Sequence, residues 1–396
     1  MKIVVHRGTQ QVGGCCTEIR TERARILIDL GQELPRSGEE QTSLSLPGIT
    51  TGDTECGGVF FTHYHGDHIG LLDTILPGVP VYIEAASKDI CVKLYRRLAI
   101  HAPAYSAVID RLESAVPLFT AHPVQIGDLR ITPFTVDHSA YNSCMFLIEG
   151  EGKKILHTGD FRTHGFRGKG VLPVLQRYVG QVDVLITEGT NLNRPEADTV
   201  TERDLSRRAA EYLKRWKNVF VLCSSTNIDR LAGLYAAARR AKKPFICDSY
   251  QADVLRTVTD HGGERSPLYD FSHILTYGDN LLPLMEEKGF CMPVRANDRF
   301  HSIMNRFQKE ESVLLYSMWA GYQERDPKLK QFVSEYHWEY FHTSGHASKT
   351  QLQLVCREVM PRIGVIPIHT EAPDMLNAIV APYPVLRIKD GEALLL

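Results

Sequence analysis

Residues 58–68 of this chain read GVFFTHYHGDH. An apolar, strand-like run ends at Phe61, and His63, His65, Asp67 and His68 follow within six positions. One histidine after a strand is usually a packed or surface residue. Four metal-type donors crowded into a single loop, with a glycine that lets the chain turn, are hard to explain by packing or as a chance His-rich loop. Imidazoles with a carboxylate suit zinc or a similar divalent ion. Such a loop demands a scaffold that fixes one strand end and brings further donors to it from distant parts of the chain.

Three downstream residues have that placement. His138 (VDHSAYNS) follows the strand-like RITPFTV, Asp160 (HTGDFR) follows KKILHT, and His369 (PIHTEAPD) ends IGVIPIH. Donors gathered from the ends of separate strands are what a sheet scaffold offers. The first 191 residues read mainly as short strands, among them KIVVHR, CTEIRT, RILIDLG and PVYIEA, with a helix over SKDICVKLYRRLAIHA. After Asn191 the pattern changes. The helix-like TERDLSRRAAEYLKRWK, the strand NVFVLCSS, the helix NIDRLAGLYAAARRAKK and the strand PFICDS alternate as in a Rossmann-like unit. From about residue 338 the order is strand, HTSGH loop, helix, strand and helix. The predicted segments are 1–191, 192–338 and 339–396.

Composition narrows the partners. With 43% hydrophobic and 23% charged residues, 396 residues make an ordinary chain of two or three domains. No apolar run reaches the ~18 residues of a membrane span, and the N-terminus lacks the pattern of a signal peptide. Nine scattered cysteines without a CxxC predict reduced thiols and a cytoplasmic protein. A formal charge of −2 gives no global attraction to nucleic acid, so a polyanion site must be local. Arg162, His164, Arg167 and Lys169 in the Gly-rich GDFRTHGFRGKG are candidates, against the plainer reading of a solvated loop.

HxHxDH at 63–68 with His138, Asp160 and His369 resembles the metallo-β-lactamase superfamily. The resemblance implies an α/β fold, an αββα sandwich holding two metals. His63, His65 and His138 would hold one, Asp67, His68 and His369 the other, and Asp160 would bridge them. Asp29 in RILIDLG is a candidate for orienting a ligand histidine, or equally a turn residue. More than half of the chain lies between Asp160 and His369, which resembles the β-CASP nucleases, whose sandwich carries an inserted, Rossmann-like β-CASP domain. On that reading 1–191 is the first part of the metallo-β-lactamase domain, 192–338 the insert, and 339–396 the completion. Glu188 in VDVLITEGTN, His346 in HTSGHAS and His369 in IHTE match the group's further marks. HTSGHA and SSTNIDRL (224–231) look most like the RNase J branch. The chain stops soon after His369 and reads LLYSMWAGYQERD where that branch has a Gly-Ser-Gln type motif, so a smaller relative is expected, without an implied 5′-end recognition.

The resemblance implies two-metal hydrolysis of RNA, with two zinc ions (manganese the other candidate) and a bridging hydroxide attacking phosphorus. Asp67, Glu188, His346 and His342 are the catalytic candidates. His346 would assist the leaving oxygen, Glu188 would hold it, and His342 would contact phosphate or orient His346. Ser348 with Gln351 resembles a capping box, so a helix N-terminus follows His346. Arg162, Ser344 and Ser348 are candidate substrate contacts. A β-CASP-type DNA nuclease and a small-molecule or nucleotide hydrolase are the alternatives; a catalytically dead subunit is disfavoured by the full ligand set. No membrane partner is expected, and the resemblance suggests a homodimer.

Overall fold

The computed structural model describes residues 1–34, 43–195 and 200–396. The chain forms two compact units. Met1–Thr163, Arg167–Asp198 and Gly345–Leu396 make the first; His164–Phe166 and Thr199–Ser344 make the second.

The first unit is built on two sheets. β1 (Lys2–Arg7), β2 (Cys16–Arg20), β3 (Arg25–Ile28), β4 (Gly58–Phe61), β5 (Val81–Glu84) and β6 (Val116–Leu118) lie side by side in chain order. β7 (Val124–Ile126), β8 (Leu129–Thr135), β9 (Cys144–Gly150), β10 (Lys153–His157) and β11 (Val184–Glu188) form the second sheet in sequential order. One core holds Ile3, Ile19, Ile26 and Phe60 of the first sheet against Ile131, Phe146, Ile155 and Ile186 of the second. The other face of the second sheet packs Leu147, Leu156 and Leu185 against Leu175, Leu352, Val355 and Val359 of flanking helices. On the first sheet, the helix Ala85–Ala99 buries Ile90, Cys91 and Tyr95. The result is the expected αββα sandwich. Each apolar sheet face finds a partner layer, and β11 is buried along its whole length, as a parallel strand covered on both faces must be.

The second unit has a parallel sheet of β12 (Asn218–Leu222), β15 (Phe290–Val294), β16 (Ser312–Tyr316) and β17 (Trp338–Tyr340), in the order β15-β12-β16-β17. β13 (Ile246–Cys247) pairs in parallel with β14 (Leu275–Thr276) beside it. Its core gathers Phe220, Leu222, Met292, Val294, Phe300 and Leu314. The helix Glu202–Arg215 starts at a Thr201/Asp204 capping box and carries acidic residues in its first turn and basic ones in its last, each favoured by the helix dipole. Arg230 is fully buried, with Nε 2.9 Å from Glu202, and its guanidinium donates to the Phe341 and Thr343 carbonyls. Thr343 Oγ1 donates to Val200 O at 2.6 Å, so the two ends of this segment are tied together.

The last strands return to the first unit. β18 (Gly364–Ile368) pairs in parallel with β11 and β19 (Ala393–Leu395) antiparallel with β1. The units divide six or seven residues later than the sequence pattern suggested, for two reasons. Asn191 donates to the carbonyls of His346 and Ala347 in the first unit, and β17 pairs with β16 inside the second. Both Pro293 and Pro367 sit in sheet-edge strands, where a missing N–H leaves no ladder bond unmade. Among the described residues no helix is long and apolar enough to cross a membrane, and all nine cysteines are buried free thiols.

Candidate metal centre

The loop after β4 is held from β3. Asp29 sits just beyond β3 in the left-handed region (φ 59°), a cost usually retained where surrounding bonds enforce it. Its Oδ1 accepts from Thr62 N at 2.8 Å and its Oδ2 from Thr62 Oγ1 at 2.8 Å. Oδ2 also lies 2.8 Å from His68 Nδ1. Asp29 is therefore both the turn residue and the group that orients His68. Because the Thr62 hydroxyl gives its proton to Asp29, it accepts from His63 Nδ1–H at 3.0 Å. That tautomer leaves the lone pair on His63 Nε2. Glycine is obligatory at position 31, where a Cβ would lie 1.7 Å from Asp67 O, and at 159, where φ is +55° and a Cβ would crowd Cys144 O and Thr62.

His63, His65 and His138 come together with their donor nitrogens within 4.8 Å of one another. His138 Nδ1–H donates to Gly345 O at 2.6 Å, so its Nε2 also bears a lone pair. His65 Nδ1 is 3.0 Å from His63 Nε2 and 3.3 Å from His138 Nε2. Three imidazoles converging at these distances suit a shared cation, with Ser139 Oγ 3.4 Å from His138 Nε2 as another polar group against that nitrogen. A tetrahedral ion with bonds of about 2.0–2.1 Å would set its nitrogen donors about 3.3–3.4 Å apart. Burial, and then the neighbouring imidazoles His68, His65 and His138, push His63 well below its usual pKa; burial and His65 do the same for His138. Both stay neutral and able to bind a metal.

A second cluster adjoins the first. His369, at the end of β18 and also in the left-handed region (φ 52°), has Nε2 3.1 Å from Asp67 Oδ2. Its Nδ1 is 2.7 Å from Thr190 Oγ1. Asp160 Oδ2 lies 3.2 Å from His68 Nε2, 3.9 Å from His63 Nε2 and 3.9 Å from His369 Nε2. One carboxylate oxygen thus faces donors of both clusters. Burial would raise the Asp160 carboxyl, but His369, His68 and His346 hold it well below the usual carboxylate range. The converging nitrogens, the central carboxylate and the burial of His68, His138, Asp160 and His369 to 2% exposure or less fit a pair of divalent ions.

His346 stands beside this cluster. Its Nδ1 is 3.0 Å from Glu188 Oε2 and 3.5 Å from Asp160 Oδ2, and its side chain is 22% exposed. Glu188 is buried at the end of β11, with Oε1 accepting from Phe161 N at 2.8 Å. Burial would lower the His346 pKa, but the Glu188 carboxylate, and then Asp160, raise it.

The remaining candidates have other placements. Arg162 is no loop cation but fully buried, its Nε 3.3 Å from Asp137 and its backbone N–H on Asp137 O. Arg167 donates to Asn142 at 2.6 Å and covers the Tyr141 ring; Lys169 is exposed. Ser348 caps the helix Lys349–Val359, accepting from Gln351 N in a complete capping box, so its hydroxyl serves the helix first. His342 and Ser344 belong to the second unit, His342 with its ring 6.0 Å from that of Tyr340 and Ser344 with its carbonyl 2.8 Å from His164 Nε2. Thr62 and Thr190 carry no sequence signal of their own. Thr62 directly precedes His63 and Thr190 lies two residues after Glu188, but nothing in a lone hydroxyl marks it out.

The family model of a beta-lactamase superfamily domain matches residues 24–218. Ribonuclease J of Helicobacter pylori is 23% identical over 407 residues, spanning 94% of this chain and 56% of that protein. Ribonuclease J of Mycoplasma genitalium is 22% identical over 395 residues, spanning 93% of this chain and 68% of that one. An RNase J-like protein of Methanocaldococcus jannaschii is 27% identical over 222 residues, 54% of this chain and 49% of the relative. The chain spans little more than half the length of the first of these relatives. A crystal structure of a protein of unknown function from Enterococcus faecalis superposes with a TM-score of 0.80 at 19% identity, over 100% of this chain and 99% of that one.

Proposed function

We propose that the chain is a member of the metallo-β-lactamase superfamily, of its β-CASP, RNase J-like group, and from that premise that it is a metal-dependent phosphodiesterase cleaving RNA. The observation that carries this reading is His346, a partly exposed imidazole paired with buried Glu188 and 3.5 Å from Asp160. A hydrolase of small, good leaving groups has less need of such a proton donor than one that must expel a ribose oxygen.

His63, His65 and His138 would hold one divalent ion, and Asp67, His68 and His369 the other, with Asp160 between them; zinc suits the imidazole-rich donor set. When bound, the ions supply Lewis acidity toward a phosphate and activation of water at neutral pH. The protein's own residues do the rest. Asp29 and Thr62 fix the tautomers of His68 and His63, so that the donor nitrogens are lone pairs. Glu188 Oε1 is anchored by Phe161 N–H, so Oε2 stays aimed at His346 Nδ1. With Nδ1 so engaged, His346 Nε2–H gives its proton to the departing oxygen. Glu188 stabilises the imidazolium before transfer, as an orienting carboxylate does in other acid–base pairs.

The test uses 5′-phosphorylated, 5′-hydroxyl and circular RNA and DNA, with Zn²⁺ or Mn²⁺. Cleavage of RNA is expected; preferential cutting of DNA, or cutting of no polymer, overturns the proposal in favour of a DNA nuclease or a small-molecule hydrolase. His346→Ala should lower the rate by about 10²–10⁴-fold, the range for removing a general acid, while metal analysis still finds two ions per chain. Undiminished activity in that variant would remove His346 from the mechanism.

A further inference from the structure

Cys15 is the first residue after the Gly13-Gly14 turn and is 2% exposed. Its backbone is fastened to the ligand loop. Cys15 N donates to Asp67 O at 3.0 Å, and Cys15 O accepts from Gly31 N at 2.9 Å. Its Sγ lies within 4.8 Å of donor nitrogens of His68 and His369. Among the described residues, no other cysteine falls in such a group.

A second, independent observation concerns His68. Its Nδ1 is committed to Asp29 at 2.8 Å. Its Nε2 is buried and has no hydrogen-bond partner; the Asp160 oxygen 3.2 Å away does not meet it in hydrogen-bond geometry. A buried ring nitrogen left so is costly, and this one belongs to the same group as the Cys15 sulfur.

We propose that Cys15 is a further protein donor to the metal position held by His68 and His369, and that its sulfur makes this position prefer zinc or cobalt(II) to manganese. The inference rests on the two-metal reading above and adds a sulfur donor to it. Thiolates are soft donors that favour zinc, whereas manganese favours carboxylate, carbonyl and water. The step balances simply: the S–H bond breaks, its proton passes to solvent, and the sulfur lone pair forms the bond to the ion. A thiol that only filled space would keep its proton throughout.

The probe is cobalt(II), titrated into chelator-stripped protein, with near-ultraviolet absorption and proton release recorded together. Wild type should develop the strong absorption of a thiolate bound to cobalt. It should also release one more proton per chain than Cys15→Ala. Cys15→Ser and Cys15→Ala should lack that absorption yet still bind cobalt. Competition with a chromophoric chelator should show zinc bound at least about tenfold more weakly in Cys15→Ala, with manganese affinity unchanged. Circular dichroism of the metal-free variants checks their folding, and the wild-type spectrum and proton count decide the matter if neither variant folds. Cobalt binding without thiolate absorption, or absorption that persists in Cys15→Ala, overturns the proposal and leaves the two-metal reading standing. No cobalt binding at all overturns both.

Discussion

The hydroxyl of Thr190 lies 2.7 Å from His369 Nδ1 and 3.2 Å from His346 Nδ1. One small side chain therefore touches both a proposed metal ligand and the proposed proton donor. Removing it takes the Nδ1 partner from His369 and leaves His346 Nδ1 to Glu188. Thr190→Val keeps the volume and should lower activity and zinc affinity by about 10–100-fold, the usual cost of losing a partner behind a ligand; Thr190→Ser should restore most of both. Equal activity in the valine variant would show that the hydroxyl orients neither ring. Glu18 offers a test away from the site. Burial alone would raise its carboxyl, but His6 at 3.0 Å and Arg25 at 2.8 Å bring it from 4.5 to about 2. A carboxyl held below its unfolded value adds stability above that value and loses it as pH falls to the folded one. The contribution should thus fade between pH 4.5 and about 2. Glu18→Gln should be less stable at pH 7 by on the order of 2–3 kcal/mol, and its acid-unfolding curve should be shallower in that window.

At the scale of elements, the proposed ligand loop is wedged between the turns carrying Cys15 and Gly31, with Asp67 O accepting from Cys15 N. Gly31→Ala would drive a methyl into that oxygen. It should cost about 3 kcal/mol or more, the upper end for overpacking, and reduce bound metal; a variant with wild-type melting and metal content would refute this account. Such elements also show what can be read from a sequence. The strand β4 and its loop were legible because donors at HxHxDH spacing rarely arise from packing alone, and the cap at Ser348 because a capping box is a local code. FCMPV was not recognised as a strand, since its proline excludes it from a sheet interior and only tertiary pairing reveals the edge position. The strand at 338–340 was seen, but its sheet was not, because pairing with β16 is a non-local choice. Arg162 reads as a solvated cation until Asp137, on another strand's end, buries and pairs it. Cys15, Thr62 and Thr190 owe their positions entirely to what the fold brings beside them.

At the scale of the whole chain, the second unit has a sheet, a core and joined ends of its own. Residues 200–344 alone should therefore unfold in one cooperative transition and bind no zinc at the His63–His369 site; a fragment without a cooperative transition would show that its core depends on the remaining chain. The pairing of β18 with β11 carries a further consequence for how the molecule is made. A ribosome emits β11 and then needs roughly 10–35 s, at about 5–20 residues per second, before β18 emerges to cover that edge. Throughout this interval an apolar strand stands open to other chains, and the proposed metal-binding loop waits without His369. The nascent protein spends its most aggregation-prone moments with the long middle segment folding ahead of the strand that closes the sheet, so slow translation across that segment should burden chaperones more than slow translation anywhere else.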